Sequence, residues 1–241
     1  MTATFKSSPQ RYARLAGVLY LAIILLGAFG ELFVRATMVV FGNAAATANN
    51  IAASPSLWRA GIVGDLLMHV ADLPVILLLY FLLRPVNENL ALLATFINLI
   101  QTAVLAANKI NLLLPLFLLA DASYMKAFSP EQLHALSAIA INTHAHGFAI
   151  GLVFFGFACL IRGYLIFKSG YWPKILGTLM FLAGLSYLTN SFALLLAPAF
   201  ADMIFPAVLL PALVGELSFC LWLIVKGVDV EQWQQRAGST T

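Results

Sequence analysis

One stretch decides the fold: Gly64-Asp65-Leu66-Leu67-Met68-His69-Val70-Ala71-Asp72-Leu73, three ionisable side chains within an apolar run that covers 57–83. That run exceeds the roughly 20 residues that a helix needs to cross a bilayer. In a helix Asp65, His69 and Asp72 lie on one stripe, because residues three and four apart share a face. Ionisable groups at membrane depth face a protein interior or a wet cavity rather than lipid. The stretch therefore predicts a membrane helix that forms one wall of a buried polar site.

Composition places the whole chain in a membrane. Of 241 residues, 62% are hydrophobic and 10% are charged, whereas soluble domains have about 25% charged residues. These values predict a polytopic membrane protein whose main partner is the lipid bilayer. The net charge of +3 gives no reason to expect nucleic-acid binding. Cys159 and Cys220 lie in apolar runs without CxxC spacing, so we expect free buried thiols.

The apolar runs predict an all-α bundle of six membrane-spanning helices in a single domain, 1–241. The segments cover about 12–34, 57–83, 89–119, 130–161, 173–196 and 203–226, each near or above the length of a span. The third is overlong, and we expect it to break near Pro115. Ser129-Pro130-Glu131-Gln132 is typical of a capping box at the start of the fourth. The first run continues to about Val34, longer than the apolar part of a signal peptide, and no clean A-x-A cleavage site follows it, which favours a membrane helix.

The distribution of Lys and Arg predicts the orientation. One side receives nine basic residues: Lys6, Arg11, Arg14, Arg84, Arg162, Lys168, Lys174, Lys226 and Arg236. The other side receives three: Arg35, Arg59 and Lys126. Cytoplasmic loops carry the excess of basic residues. We therefore expect both termini in the cytoplasm.

Other segments carry polar residues that could meet the stripe of the second. The third segment has a polar arc made of Asn98, Gln101, Thr102, Asn108 and Lys109. Val63-Gly64-Asp65-Leu66 is echoed by Val214-Gly215-Glu216-Leu217 in the sixth, and a parallel repeat would give Asp65 and Glu216 equivalent places. Most of these groups fall in the middle and outer half of the bundle. We expect a cavity that is closed towards the cytoplasm and opens outward.

Charge balance suggests what this cavity does. The embedded acids are Glu31, Asp65, Asp72 and Glu216, and the embedded bases are Arg35 and Lys109. Glu31 and Arg35 are four residues apart in the order that favours an ion pair. Lys109 can neutralise one further acid, so two carboxylates need a proton, a histidinium or a cation. The predicted site for a proton, a cation or a small ligand comprises Asp65, His69, Asp72, Asn108, Lys109 and Glu216. The alternative is a structural or partner subunit in which these groups only join helices by hydrogen bonds.

The histidines allow two further interpretations. His144 and His146 point about 200° apart on a regular helix, so they cannot both bind one ion. His69 with one of them and an acid has the donor chemistry for zinc or another divalent metal, which would suit an intramembrane metal-dependent enzyme. His69 and His144 or His146 could also hold a haem. The sequence has no HExxH, phosphate loop, GxSxG or dinucleotide fingerprint, which favours transport or binding over catalysis.

Several local patterns together resemble a known family. They are Arg14-Leu15-Ala16-Gly17, Glu31-Leu32-Phe33-Val34-Arg35, Leu83-Arg84-Pro85-Val86-Asn87, His144-Ala145-His146-Gly147, Phe154-Phe155-Gly156 and Gly163-Tyr164. In combination they resemble the bacterial membrane family catalogued as domain of unknown function 4386, over about Arg11 to Val225. The resemblance implies a six-helix, multi-pass protein of the bacterial inner membrane. It implies no activity and assigns no residue a catalytic role.

Overall fold

The structure, a computed structural model, describes residues 8–238. Six helices are long and apolar enough to cross a membrane: Pro9–Met38, Pro55–Leu83, Glu88–Leu118, Pro130–Ser169, Lys174–Leu196 and Ala207–Val225. They are numbered here as the first to the sixth span. No strand occurs between residues 8 and 238. The predicted all-α bundle of six membrane helices is confirmed.

Several spans are not uniform α-helices. The first is α-helical over Pro9–Ala28, π-helical over Phe29–Arg35 and α-helical again over Ala36–Met38. The third consists of Glu88–Asn108 and Ile110–Leu118, and the sixth of a 3-10 turn, Ala207–Leu209, followed by Leu210–Val225. Shorter elements lie between and after the spans: the outer helix Ala44–Ala53, the 3-10 helix Ser123–Ala127, the helix Pro198–Ile204 and the tail helix Val230–Gly238.

Three helix boundaries differ from the sequence-based expectation. The third span breaks at Lys109, and Pro115 lies just beyond the first turn of the restarted helix, where its missing N–H removes a single hydrogen bond. The fourth span continues past 161 to Ser169 and ends at Gly170, whose φ of 83° is the left-handed C-cap conformation. Residues 203 and 204 belong to the separate helix Pro198–Ile204 rather than to the sixth span. Arg162 is consequently inside the fourth span and not in a loop.

The six spans form a closed ring. Each packs chiefly on the spans next to it in sequence, and the sixth completes the ring by packing on the first. The closest approach is between the fourth and fifth, where glycines face each other across the interface. The outward stripe of the second span consists of Leu66, Val70, Leu73 and Leu77, all largely exposed, and suits contact with lipid. Asp65, His69 and Asp72 are on the opposite side of that helix and face the interior of the ring.

Apolar clusters close both ends of this interior. The outer cluster contains Val34, Met38, Ile51, Trp58, Ile62 and Leu112, and the indole Nε1 of Trp58 donates to the Leu112 carbonyl at 2.7 Å. Because Ile51 comes from the outer helix, the ring is covered on the side where we expected an opening. The inner cluster includes Leu82, Tyr171 and Trp172. Burial raises the pKa of the Tyr171 phenol, which donates to the Leu82 carbonyl at 2.6 Å.

The two ends of the described chain lie on the same side of the bundle. The side-chain amide of Gln10 donates to the Lys226 carbonyl, and the Val228 amide donates to Gln10 Oε1, each at 2.9 Å. Six crossings require this arrangement. This is the side for which the sequence predicts the excess of Lys and Arg, although Arg162 of that set lies inside the fourth span.

Candidate functional site

The interior polar residues form two layers at different depths. The outer layer comprises Glu31, Arg35, Asp65, His69, Asn108, Lys109 and His144. The inner layer comprises Tyr20, Asp72, Asn98, Gln101, Thr102, Cys159, Arg162, Tyr187 and Glu216. At about 1.5 Å per residue, Asp65 is about 27 Å above the inner end of its span, whereas Asp72 and Glu216 are about 14–16 Å above theirs. Glu216 therefore shares its depth with Asp72 and not, as the sequence echo suggested, with Asp65.

The outer layer is a continuous ionic network across three spans. Arg35 Nε donates to Glu31 Oε2 at 2.7 Å, and Arg35 Nη1 donates to Asp65 Oδ2 at 2.7 Å. Lys109 Nζ donates to the same Asp65 oxygen at 2.8 Å. Two acids thus balance two bases. Asp65 is the central member, because it alone contacts both cations.

Two histidines border this network. Lys109 Nζ is 3.3 Å from His144 Nε2, and since an ammonium can only donate, His144 accepts there as a neutral imidazole. His69 is 4% exposed, and its Nε2 has no hydrogen-bond partner in the part of the chain that the structure describes. His146 is exposed, with Nδ1 2.9 Å from the Asn142 carbonyl of its own helix. The structure thus brings His144, and not His146, to the site.

The local backbone makes room for these charges. The break in the third span places Asn108 against the fourth, where its Nδ2 donates to the His144 carbonyl at 2.8 Å. In the first span the π-helix directs Gly30 towards Asp65, and a Cβ at position 30 would overlap the Asp65 carboxylate. π-Helical turns are rare and often occur at functional sites. The missing side chain of Gly30 therefore gives Asp65 its place beside Arg35.

Replacing Gly30 by alanine should displace the Asp65 carboxylate and destabilise the protein by about 1–3 kcal/mol, as overpacking commonly does. Thermal unfolding in detergent measures this loss. Gly27→Ala in the same span is the matched control, because its added Cβ would meet only the flexible Met68 side chain. Equal stability of the two variants would contradict the close approach of Asp65 to Gly30.

The inner layer has a different hydrogen-bond pattern. Asp72 Oδ2 accepts from Thr102 Oγ1 at 2.5 Å and from Asn98 Nδ2 at 3.1 Å. Glu216 accepts on one oxygen from Tyr20 at 2.8 Å and on the other from Tyr187. These bonds connect the second span to the third, and the sixth to both of its neighbours.

Arg162 completes the inner layer from the fourth span. It is 6% exposed and interacts electrostatically with both Asp72 and Glu216. No ion pair within 4.0 Å joins Arg162 to an acid in residues 8–238. The layer thus has two carboxylates and one guanidinium, so one negative charge is in excess if both acids are ionised. The sequence did not identify Arg162, Tyr20 or Tyr187 as site residues. For Arg162 a signal was available, because apolar residues continue after it and indicate that the helix extends beyond this position.

The residues considered for a metal do not converge. Between residues 8 and 238, no group of three or more His, Cys, Asp or Glu side chains is arranged to hold a metal ion. Lys109 Nζ lies beside His144 Nε2, where a metal ligated by that histidine would be. The zinc and haem interpretations of His69, His144 and His146 therefore gain no support from this geometry.

Comparison with known proteins identifies the family. The sequence model described as "Domain of unknown function (DUF4386)" matches residues 15–227. The chain belongs to this family. A protein of Archaeoglobus fulgidus, named as an uncharacterized protein, is 30% identical over 168 residues, which is 69% of this chain and 83% of the relative. No solved structure gives a significant match. The family match covers the first span from residue 15 onward, the other five spans completely, and both polar layers.

Proposed function

We propose that this multi-pass membrane protein handles protons, and that its inner layer binds one exchangeable proton at Asp72. The observation that carries the proposal is the composition of that layer: Asp72 and Glu216 face a single base, Arg162, inside a closed ring. An uncompensated charge is costly in a membrane interior. One bound proton makes the layer neutral. The excess of acid predicted from the sequence is thereby reduced from two carboxylates to one, since Arg162 neutralises the other.

The hydrogen bonds favour Asp72 over Glu216 as the proton-binding group. Glu216 accepts a phenolic hydroxyl on each oxygen, which stabilises its ionised form. Both donors to Asp72 reach Oδ2, and no group in residues 8–238 donates to Oδ1. Asp72 is also only half-buried although it faces the ring interior. Its Oδ1 is therefore free to hold a proton and accessible for exchange.

The surrounding structure supports a role in transport across the cytoplasmic membrane. Membrane-embedded acids mark proton and ion pathways. Apolar clusters close the ring above and below the polar layers, as expected of an occluded state in a carrier that opens alternately to each side. The outer layer, by contrast, is already neutral and joins the first three spans. We assign it the structural role and the inner layer the proton-binding role.

Infrared spectroscopy tests the charge balance directly. At neutral pH the wild type should show the carbonyl band of one protonated carboxylic acid, which shifts in D2O because the proton exchanges. Asp72→Asn and Glu216→Gln should each abolish the band, since either leaves one acid opposite one base. Arg162→Gln should double the intensity of the band, because without the guanidinium both Asp72 and Glu216 must be protonated for the layer to be neutral. Glu31→Gln, at the exposed end of the outer network, should leave it unchanged.

Other outcomes would contradict the proposal. A band that persists in Asp72→Asn, or that fails to grow in Arg162→Gln, would show that this layer does not hold the proton. A band that does not shift in D2O would favour a purely structural role for the layer. Each variant is first checked for its helical circular dichroism and for elution as a monodisperse species.

A further inference from the structure

Three groups of the inner layer lack a protein hydrogen-bond partner. Asn98 is 0% exposed and its Oδ1 has no partner in the described chain. Arg162 is 6% exposed, and its guanidinium makes no side-chain hydrogen bond within residues 8–238. Asp72 Oδ1 is the third. Buried polar groups are normally satisfied, yet Asn98 and Arg162 are buried, and Asp72 beside them is half-buried. The three come from three different spans around one interior. An unsatisfied, convergent set of this kind points to a bound ligand.

A ligand that binds all three groups must offer both a hydrogen-bond acceptor and hydrogen-bond donors. Arg162 can only donate, whereas Asn98 Oδ1 and the ionised Asp72 can only accept. Arg162 also stays outside ion-pair distance of both Asp72 and Glu216. A molecule that satisfies all three groups must accept a hydrogen bond from Arg162 at one end. At its other end it must donate to Asp72 and Asn98.

Charge then selects the ligand class. With Asp72 and Glu216 ionised and Arg162 protonated, the layer carries one negative charge. A zwitterion would leave that charge in place, and an anion would double it. A singly charged amine with a neutral oxygen acceptor makes the layer neutral, just as the proton does.

We propose that the inner layer binds a small primary amine bearing a hydroxyl or carbonyl oxygen, in exchange for the proton on Asp72. This inference rests on the proposed function, since it requires that proton. The ammonium binds Asp72 and Asn98, and the ligand oxygen accepts from Arg162. On binding, the O–H bond of the Asp72 carboxyl breaks, the carboxylate keeps the electron pair, and one proton leaves to solvent. No covalent bond to the ligand forms.

The neighbours of Asp72 are consistent with this exchange. Its own span contributes His69 one turn further out and Asp65 two turns further out. From the other spans the inner layer contributes Thr102, Asn98, Cys159, Arg162, Tyr187, Glu216 and Tyr20. Arg162 is the one base in that set, and Glu216 is held by two phenols. Asp72 is thus the group whose charge can change when an amine replaces a proton.

Ethanolamine is the probe, with ethylamine and glycine as matched controls. Ethylamine lacks the oxygen, and glycine adds a negative charge. Purified protein is titrated in weakly buffered detergent solution, and thermal stabilisation and proton release are recorded together. We expect ethanolamine to bind with release of one proton per protein. Ethylamine should bind about tenfold more weakly, because it loses a charge-assisted hydrogen bond to Arg162, and glycine more weakly still.

Variants locate the site. Asp72→Asn should abolish both ethanolamine binding and proton release, whereas Glu31→Gln should preserve both. Arg162→Lys should reduce the preference for ethanolamine over ethylamine, because a point charge replaces the guanidinium fork. Ethanolamine binding without proton release, or equal affinity for all three compounds, would overturn the inference. If the infrared proton on Asp72 is present and no amine displaces it, the inference alone fails; if that proton is absent, the proposed function fails as well.

Discussion

Replacing Asp65 by asparagine should destabilise the folded protein by about 3–5 kcal/mol, the cost of leaving a buried charge without its partner. Asp65 Oδ2 receives both Arg35 Nη1 and Lys109 Nζ, at 2.7 and 2.8 Å, and its side chain is 1% exposed. The variant keeps the size of the side chain but removes its charge. Lys109, itself 3% exposed at the side chain, then has no acid to contact. Denaturation of the purified protein in mixed micelles measures the change.

Two companion variants separate charge loss from general damage. Glu31→Gln removes the other acid of the same network, but that side chain is 64% exposed, so a loss of at most about 1 kcal/mol is expected. The double variant Asp65→Asn with Lys109→Gln also removes the unpaired ammonium of Lys109, and it should recover part of the lost free energy of unfolding. If Asp65→Asn costs no more than Glu31→Gln, the ionic network does not hold the first three spans together.

Replacing Gly177 by alanine should destabilise the bundle by about 1–3 kcal/mol or more, because the fourth and fifth spans touch through their backbones there. A Cβ at position 177 would lie 2.5 Å from the Phe167 amide nitrogen and 2.6 Å from the Gly163 carbonyl oxygen. Backbone atoms cannot rotate away as a side chain can. The two helices would have to separate, which would loosen every contact along that interface. Thermal unfolding in detergent reports the effect.

Gly64→Ala is the matched control for this substitution. It is the same change in the middle of a membrane helix, but its Cβ would make ordinary contact with the Phe29 ring, at 3.4 Å. Alanine has a helix propensity about 1 kcal/mol better than glycine, so this variant should be neutral or slightly stabilising. The difference between the two variants isolates the steric cost at the interface. Similar stabilities would mean that the fourth and fifth spans are further apart than described.

The spans were predictable because their signal is local. Each apolar run is long enough to be recognised as a membrane span without information from the rest of the chain. The capping box at Ser129 is equally local, and it forms with both of its hydrogen bonds. Helix ends were harder, because they depend on backbone conformation. The fourth span ends at Gly170 in the left-handed region, eight residues after the charge of Arg162 that suggested a loop. An arginine near the end of an apolar run has the same sequence signature whether it enters solvent or turns inward.

The partners within the site were less predictable, for reasons of depth and direction. The echo of residues 63–66 in residues 214–217 predicted equivalent places for Asp65 and Glu216, but a match of four residues does not fix the depth of either side chain. The sequence did not mark Tyr20 and Tyr187 as site residues, since a tyrosine in an apolar run usually belongs to the protein core or to the membrane–water interface. Which groups meet across a ring depends on the rotation of each helix, and that is fixed by non-local contacts such as the glycine interface of the fourth and fifth spans.

The order of neighbours around the ring has a consequence for biosynthesis. Because every span after the first packs on the one made just before it, each of these helices finds a docking surface already in the membrane when it leaves the ribosome. Contacts that are local in sequence form quickly. The closure between the first and sixth spans must wait until the sixth span is made, and Gln10 then joins Lys226 and Val228. Until that moment Tyr20, on the inner face of the first span, is without Glu216, the acid to which it donates.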